Sequence, residues 1–140
     1  MDKEVLTVNV RITDILDVKG GSRNSRMILF EGDAVSDCFT GSVLPGGVDT
    51  QRDTEDGRIT LSARYMLEGK DLEGRDCRIF IENNGVIREG EEIMTVPSVV
   101  TDSPALAYLE DADLYGTVEE TQGGVRIHIF RKDDEKSSSR

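Results

Sequence analysis

The chain has 140 residues, of which 36% are hydrophobic, and its 17 basic and 28 acidic residues give a formal net charge of −11 at pH 7. A chain of this length forms one domain and can bury about two thirds of the surface that its unfolded state exposes, so it can fold without a metal ion or a disulfide. The acidic balance argues against a nucleic-acid binder, which usually presents a basic patch, and it argues against binding to an anionic membrane. We therefore expect neither a nucleic-acid partner nor a membrane partner.

The first ten residues, MDKEVLTVNV, are acidic and alternate in polarity, which is typical of a strand and not of a signal peptide. The two cysteines, Cys38 and Cys77, fit free thiols in a reducing cytoplasm, which is the location that we expect. His128 is the single histidine, and the sequence has no Cys-x-x-Cys spacing. The sequence therefore predicts no metal site, and none of its motifs indicates a cofactor.

Apolar and polar residues alternate along most of the chain, beginning with Leu6, Val8, Val10 and Ile12. Such alternation predicts β-strands with two different faces. In chain order the predicted strands are Leu6–Thr13, Met27–Glu31, Asp37–Leu44, Ile59–Glu68, Cys77–Asn83, Ile93–Thr95, Leu114–Glu120 and Val125–Phe130. No long helical pattern separates them, so the fold class is all-β with antiparallel strands, either a sandwich or a closed barrel.

Turn-forming residues lie between the predicted strands. The dipeptides Asp56-Gly57, Asn84-Gly85 and Gly123-Gly124 suit tight hairpins, because their residues tolerate a positive φ. Gly20-Gly21 and Pro45-Gly46-Gly47 mark two further breaks. One short helix is predicted at Pro104–Glu110, with Ser103 as its N-cap and Pro104 at its first position.

Three polar residues in or beside predicted strands are candidates for a site. Arg64 lies in the middle of the strand LSARYML, where it is either solvated outside or paired inside with a carboxylate, because an unpaired buried charge is costly. Asp49 follows the Leu-Pro-Gly-Gly turn and is the candidate partner. Asn83 either points its amide to the same side as Ile79 and Ile81 or opens the Asn-Asn-Gly turn.

Two other features carry weaker signals. His128 alternates with Ile127 and Ile129 in the strand VRIHIF, and we interpret it as a structural or surface histidine rather than a general base. The segment KGGSRNSR has the composition of an anion-binding loop, but a strand follows it where such a loop needs a helix N-terminus.

Five segments, in this order, resemble a known family: FTGSVLPGGVDTQ, DGRITLSARYML, CRIFIENNGV, SVVTDSPALAYLEDADLYGTV and GGVRIHIF. The family consists of small bacterial and fungal proteins without an assigned function, and the resemblance covers residues 32–130. It implies a closed or nearly closed antiparallel β-barrel of the lipocalin-like kind with at most one short helix. The chain departs from the family where Thr50 and Tyr108 replace tryptophans. We thus expect one barrel domain over residues 1–131 and a frayed tail over residues 132–140.

Three functions stay open at this point. The first is binding of a small organic molecule in the lumen, with Asp49, Gln51, Arg64, Tyr65 and Asn83 as candidate contacts; an inward arginine would favour an anionic ligand. The second is a lumen enzyme of cyclase, isomerase or hydratase type that uses Asp49 and Arg64. Arg64 and Tyr65 are adjacent in a strand and point to opposite faces, which lowers this alternative.

The third function is self-assembly of a barrel filled by its own side chains, in which Asp49 and Arg64 form a buried ion pair. Apolar residues occur on both faces of residues 79–83 and 125–130. A second buried surface would explain this pattern, so we expect a homo-oligomer.

Overall fold

The computed structural model describes residues 1–133 and consists almost entirely of β-strands. The strands are β1 (Lys3–Lys19), β2 (Asn24–Val35), β3 (Phe39–Val43), β4 (Val48–Asp53), β5 (Ile59–Asp71), β6 (Asp76–Ile87), β7 (Met94–Thr101), β8 (Leu114–Thr121) and β9 (Gly124–Arg131). One turn of 3-10 helix, Ala107–Glu110, lies between β7 and β8. The expected all-β class with a single short helix is confirmed.

All nine strands belong to one antiparallel sheet that curls into a nearly closed ring, as the expected barrel requires. The order is β1-β9-β8-β7-β6-β5, after which β3 and β4 share the place between β5 and β2, and β2 closes the ring on β1. Residues 20–23, 54–58, 88–93 and 122–123 connect strands at one end, which we call the hairpin end. The other end, where the 3-10 helix lies, we call the helix end.

The interior is apolar over most of its length because most strands point their alternate aliphatic residues inward. The inward residues of β5 and β6 include Tyr65, Leu67, Ile79 and Ile81, each no more than 4% exposed. At the helix end Leu106 and Leu109 are 0% and 1% exposed, so they plug the barrel. Burial of each such leucine stabilises the fold by about 2 kcal/mol.

The carboxylate of Asp71 fastens the plug to the barrel. It accepts a hydrogen bond from the Ser103 hydroxyl at 2.6 Å and from the backbone N–H groups of Glu73 and Arg75 at 2.9 and 3.1 Å. The expectation that Ser103 caps the helix is wrong, since its hydroxyl donates to Asp71 and the N-cap position is Leu106. The helix is therefore held by its buried leucines and not by a side-chain cap.

The strands differ from the predicted ones at two places. Residues 48–53 form a strand, β4, which is missing from the predicted strands. Asn84-Gly85 is not a hairpin turn, because β6 continues to Ile87 and the chain reverses at Gly90, whose φ is 78°. Asn84 lies opposite Ser62 on β5 and Val96 on β7, and pairing with both neighbouring strands overrides the local preference for a turn.

Cys38 and Cys77 are both free thiols. Within residues 1–133 no group of three or more histidine, cysteine or acidic side chains could hold a metal ion, and no helix is long and apolar enough to cross a membrane. Within the expected tail, the backbone N–H of Lys132 donates a hydrogen bond to the Asp113 carbonyl at 2.9 Å, and the backbone N–H of Asp133 donates to the Asp2 carboxylate at 2.8 Å. Residues 134–140 of that tail lie outside the described part.

Candidate functional site

A row of paired residues on the inner wall places Asp49 inside the barrel. Asp49 pairs with Ala63 on β5, and Ala63 pairs with Asn83 on β6, so all three side chains share the inward face. The preceding turn sets this register: Gly46 has a φ of 111°, which favours glycine, and a Cβ on Gly47 would lie 3.0 Å from the Phe30 ring. The side chain between the carboxyl and the amide is the small one of Ala63, which packs against the apolar core.

The Asp49 carboxyl belongs to a hydrogen-bonded relay that runs toward the hairpin end. Gln51 Nε2 donates to Asp49 Oδ2 at 2.9 Å, and Arg26 Nη1 donates to Gln51 Oε1 at 2.9 Å. Burial raises the pKa of the Asp49 carboxyl, and the hydrogen bond from Gln51 opposes that rise. All three residues are half-buried, so the relay connects the interior to the solvent at this end.

Arg64 lies outside the barrel, and the expected ion pair between Asp49 and Arg64 is wrong. Arg64 is exposed. In the sheet register it lies opposite Val48 on β4 and Glu82 on β6, which directly precede the inward-pointing Asp49 and Asn83 in sequence. Because strand neighbours alternate between faces, a residue paired with Val48 points away from Asp49. With Thr50, one of the positions that depart from the family, Arg64 lines a concavity of about 650 Å³ on the outer surface.

Tyr65, next to Arg64, points inward as the strand alternation predicts. Its side chain is 4% exposed, and its ring meets the Phe30 ring edge-on at 5.4 Å and 73°. Loss of solvent around the hydroxyl raises the pKa of Tyr65 far above its usual range. The phenol is therefore a neutral group that can donate and accept a hydrogen bond.

Asn83 and Thr95 meet on the inner wall beside Gly116. Asn83 and Thr95 are 2% and 1% exposed, so the amide of Asn83 points to the interior and does not form a turn. A Cβ on Gly116 would lie 2.4 Å from Thr95 Oγ1 and 3.7 Å from Asn83 Nδ2. Glycine at position 116 thus makes room for the Thr95 hydroxyl.

Four buried side-chain oxygens on this inner wall have no hydrogen-bond partner within the described residues. They are Asp49 Oδ1, Tyr65 Oη, Asn83 Oδ1 and Thr95 Oγ1. An unsatisfied buried polar atom costs about 1–3 kcal/mol, and native proteins contain few of them. The four atoms lie on the adjacent strands β4, β5, β6 and β7, so hydrogen-bonding capacity is left unused in this part of the described interior.

The structure brings together four of the five site candidates from the sequence: Asp49, Gln51, Tyr65 and Asn83. It excludes Arg64 from the interior and adds Arg26 and Thr95. Thr95 could have been found from its alternation with Pro97 and Val99, had β7 been predicted at its full length. Arg26 directly precedes a predicted strand, and the sequence carries no signal that it reaches Gln51.

His128 lies on the outer face, away from these groups. Its Nδ1 is 2.6 Å from Glu4 Oε2 and its Nε2 is 2.9 Å from Glu119 Oε1. These hydrogen bonds, the one to Glu119 first, raise the pKa of His128. The histidine links the outer surfaces of β1, β8 and β9, which fits the structural interpretation.

Curated relatives share a clear sequence likeness with the chain. A UPF0311 protein of Clostridium acetobutylicum is 32% identical over 109 residues, which are 77% of this chain and 66% of that protein. A UPF0311 protein of Bradyrhizobium diazoefficiens is 30% identical over 139 residues, covering 91% of this chain and 83% of that protein.

Solved structures share the fold at lower identity. A protein with unknown function from Clostridium acetobutylicum has a TM-score of 0.79 and 23% identity, covering 95% of this chain and 99% of that one. A beta-barrel like protein from Acinetobacter baumannii has a TM-score of 0.74 and 14% identity, covering 94% of each chain. An enzyme from Penicillium herquei has a TM-score of 0.70 and 13% identity, covering 95% of this chain and 94% of that one.

A model of one protein family matches residues 3–129, which is nearly the whole described chain. The family is described as a protein of unknown function, DUF3237. The match agrees with the curated relatives, with the barrel-like solved structures and with the resemblance seen in the sequence. The chain therefore belongs to the DUF3237 family of proteins of unknown function.

Proposed function

We propose that the barrel binds one small organic molecule in its interior, between the relay of Asp49 and the inner wall around Asn83. The observation that carries this proposal is the group of four unpartnered oxygens of Asp49, Tyr65, Asn83 and Thr95. A ligand site typically combines an apolar lining with a few polar groups that fix the ligand's orientation. Here the aliphatic interior supplies the lining and the four oxygens supply the polar groups.

The proposed route of access is the hairpin end. The helix end is plugged by Leu106 and Leu109, while Arg26, Asp49 and Gln51 near the hairpin end remain half-buried. A molecule that enters from the hairpin end meets these half-buried groups first and the fully buried Asn83 and Thr95 afterwards.

Protein NMR can test this proposal with a screen of fragments that have about ten non-hydrogen atoms, for which dissociation constants near 1 mM are realistic. We expect binding fragments to shift the signals of the Gln51 and Asn83 side-chain amides. Ala63→Leu places a larger side chain between Asp49 and Asn83 and should abolish these shifts. Ser62→Leu, the neighbouring change on the outer face, is the matched control and should leave them intact.

Two outcomes would count against binding in the interior. One is that no fragment shifts the interior amides of the wild type. The other is that fragments bind the Ala63→Leu variant as well as they bind the wild type.

A second candidate function, an enzyme on the same site, is favoured by the state of Asp49. Its Oδ1 is unpartnered, its Oδ2 is held by Gln51, and burial raises its pKa toward the range useful for proton transfer. The solved structure from Penicillium herquei is described as an enzyme, and it shares the fold. In this candidate Asp49 takes a proton from the carbon next to a carbonyl, and Tyr65 or Thr95 donates a hydrogen bond to the resulting enolate oxygen.

A minimal assay for this activity is exchange of the α-hydrogens of cyclohexanone for deuterium in heavy water. The carboxylate removes a proton from carbon, and a deuteron from solvent replaces it. We expect Asp49→Asn to bind cyclohexanone as the wild type does and to lose the exchange. Exchange by the wild type no faster than by Asp49→Asn would remove the support for an enzyme.

The expected homo-oligomer and the lipocalin-like character of the barrel stay predictions. Sedimentation analysis of the purified chain checks the first.

A further inference from the structure

The hydrogen-bonding capacity of the interior site restricts the chemistry of its ligand, and this inference rests on the proposed function above. Asn83 Oδ1 can only accept a hydrogen bond, and Asp49 Oδ1 accepts one whenever the carboxyl is ionised. The hydroxyls of Tyr65 and Thr95 each need a partner that accepts their hydrogen and can also donate to their oxygen. A ligand that satisfies the four atoms must therefore carry both hydrogen-bond donors and hydrogen-bond acceptors.

The charges inside the barrel already compensate each other. The guanidinium of Arg26 donates to Gln51, whose amide in turn donates to Asp49, so the cation of this relay is directed toward the Asp49 carboxyl. Arg64, which the sequence predicts as a possible interior cation, lies on the outer surface. A carboxylate ligand would have no free cation and would face the acceptor oxygens of Asp49 and Asn83.

An ammonium group fits the site only in part. It could donate to Asp49 and Asn83, but it has no acceptor for the hydroxyl hydrogens of Tyr65 and Thr95. A hydroxyl group both donates and accepts, so two or more hydroxyls can satisfy all four oxygens. Beside the site, toward the plugged helix end, lies the packed apolar core with Leu67, Ile79 and Ile81, which suits contact with an apolar skeleton.

We infer that the interior site takes a neutral molecule with two or more hydroxyl groups on an apolar skeleton. The lumen thus selects against carboxylates, which reverses the preference that an inward Arg64 would have given.

A set of probes built on one ring tests this inference: cyclohexane-1,3-diol, cyclohexanecarboxylate and cyclohexylamine. Dissociation constants at pH 7 follow from NMR titrations that monitor the Asn83 side-chain amide. We expect the diol to bind at least tenfold more tightly than the carboxylate or the amine. Thr95→Val and Tyr65→Phe keep the shape of the site and remove one hydroxyl each. Each change should weaken the binding of the diol by about two- to tenfold. Arg64→Gln, on the outer face, should leave all three affinities unchanged.

The outcomes separate this inference from the proposed function. If the carboxylate or the amine binds most tightly and shifts the Asn83 amide, the interior is a ligand site and the inferred class is wrong. If the diol binds the two isosteric variants as tightly as the wild type, the hydroxyls of Tyr65 and Thr95 do not recognise it and the inference fails. If neither these probes nor the fragments shift the interior amides, the proposed function itself fails.

Discussion

Replacement of Tyr65 by phenylalanine should make the ligand-free protein more stable. The ring of Tyr65 is buried and packs edge-on against Phe30, and its hydroxyl has no partner among the described residues. Tyr65→Phe keeps the ring and this packing while it removes the oxygen. The variant therefore removes a buried polar atom whose hydration is lost on folding without a hydrogen bond in return.

The size of the effect follows from the cost of an unsatisfied buried hydroxyl, about 1–3 kcal/mol. For a domain of this length, 1 kcal/mol shifts the midpoint of thermal unfolding by about 3 °C. We therefore expect Tyr65→Phe to raise the midpoint by about 3–9 °C and to increase the free energy of unfolding in urea without a change in the slope of the transition.

Tyr115 provides the matched control, because its ring stacks on Phe130 at 5.2 Å but its hydroxyl donates to Asp2 at 2.7 Å. Tyr115→Phe removes a formed hydrogen bond at the surface and should leave the midpoint unchanged or slightly lower. A midpoint for Tyr65→Phe below that of the wild type would refute the reasoning, since it would mean that the hydroxyl makes a stabilising hydrogen bond in the free protein.

Three other predictions concern Gly116, Asp49 and His128. Gly116→Ala should destabilise the fold by about 1–3 kcal/mol because its Cβ would lie 2.4 Å from Thr95 Oγ1. Most of that loss should disappear when Thr95 is also changed to alanine. A double-mutant cycle from urea unfolding measures this coupling. Burial raises the pKa of Asp49 in the folded state above its unfolded value, so the folded state binds the proton more tightly. The fold therefore loses stability as the pH rises through the folded pKa. We expect the stability gained by Asp49→Asn to grow from pH 3 to pH 7. The hydrogen bonds of His128 raise its pKa, so their contribution is fully present below about pH 6.5 and is lost as the pH rises through the folded pKa. Because His128 is the single histidine, an NMR titration reads its pKa directly, and Glu119→Gln should lower it.

The alternating pattern was sufficient to predict the strands that have one apolar and one polar face. It also placed Asn83 with Ile79 and Ile81, and the structure confirms that all three point inward. It could not predict β4, because Asp49 and Gln51 occupy inward positions that are usually apolar. A strand that carries polar residues on its inner face does not show the expected alternation, and here those residues belong to the site.

The error over Arg64 has a related cause. Sequence proximity made Arg64 the obvious partner for Asp49, but the pairing register decides which face each side chain occupies. Asp49 is opposite Ala63, so Arg64 lies on the other side of the sheet. A pairing register depends on the length of the connecting turn, and the sequence does not show where β4 ends and the turn to β5 begins.

The ladder between β7 and β8 has mechanical consequences for the barrel. These strands pair at Met94–Thr117 and Thr95–Gly116, whereas β6 and β7 are paired from Ile79–Thr101 to Gly85–Thr95. Local opening of a sheet begins where the fewest hydrogen bonds must break, so we expect backbone amides on β8 near Gly116 to exchange with deuterium before those of β6. Thr95 belongs to this short ladder and Asn83 lies beside it, so a molecule bound to both would slow the exchange by holding β7 and β8 together.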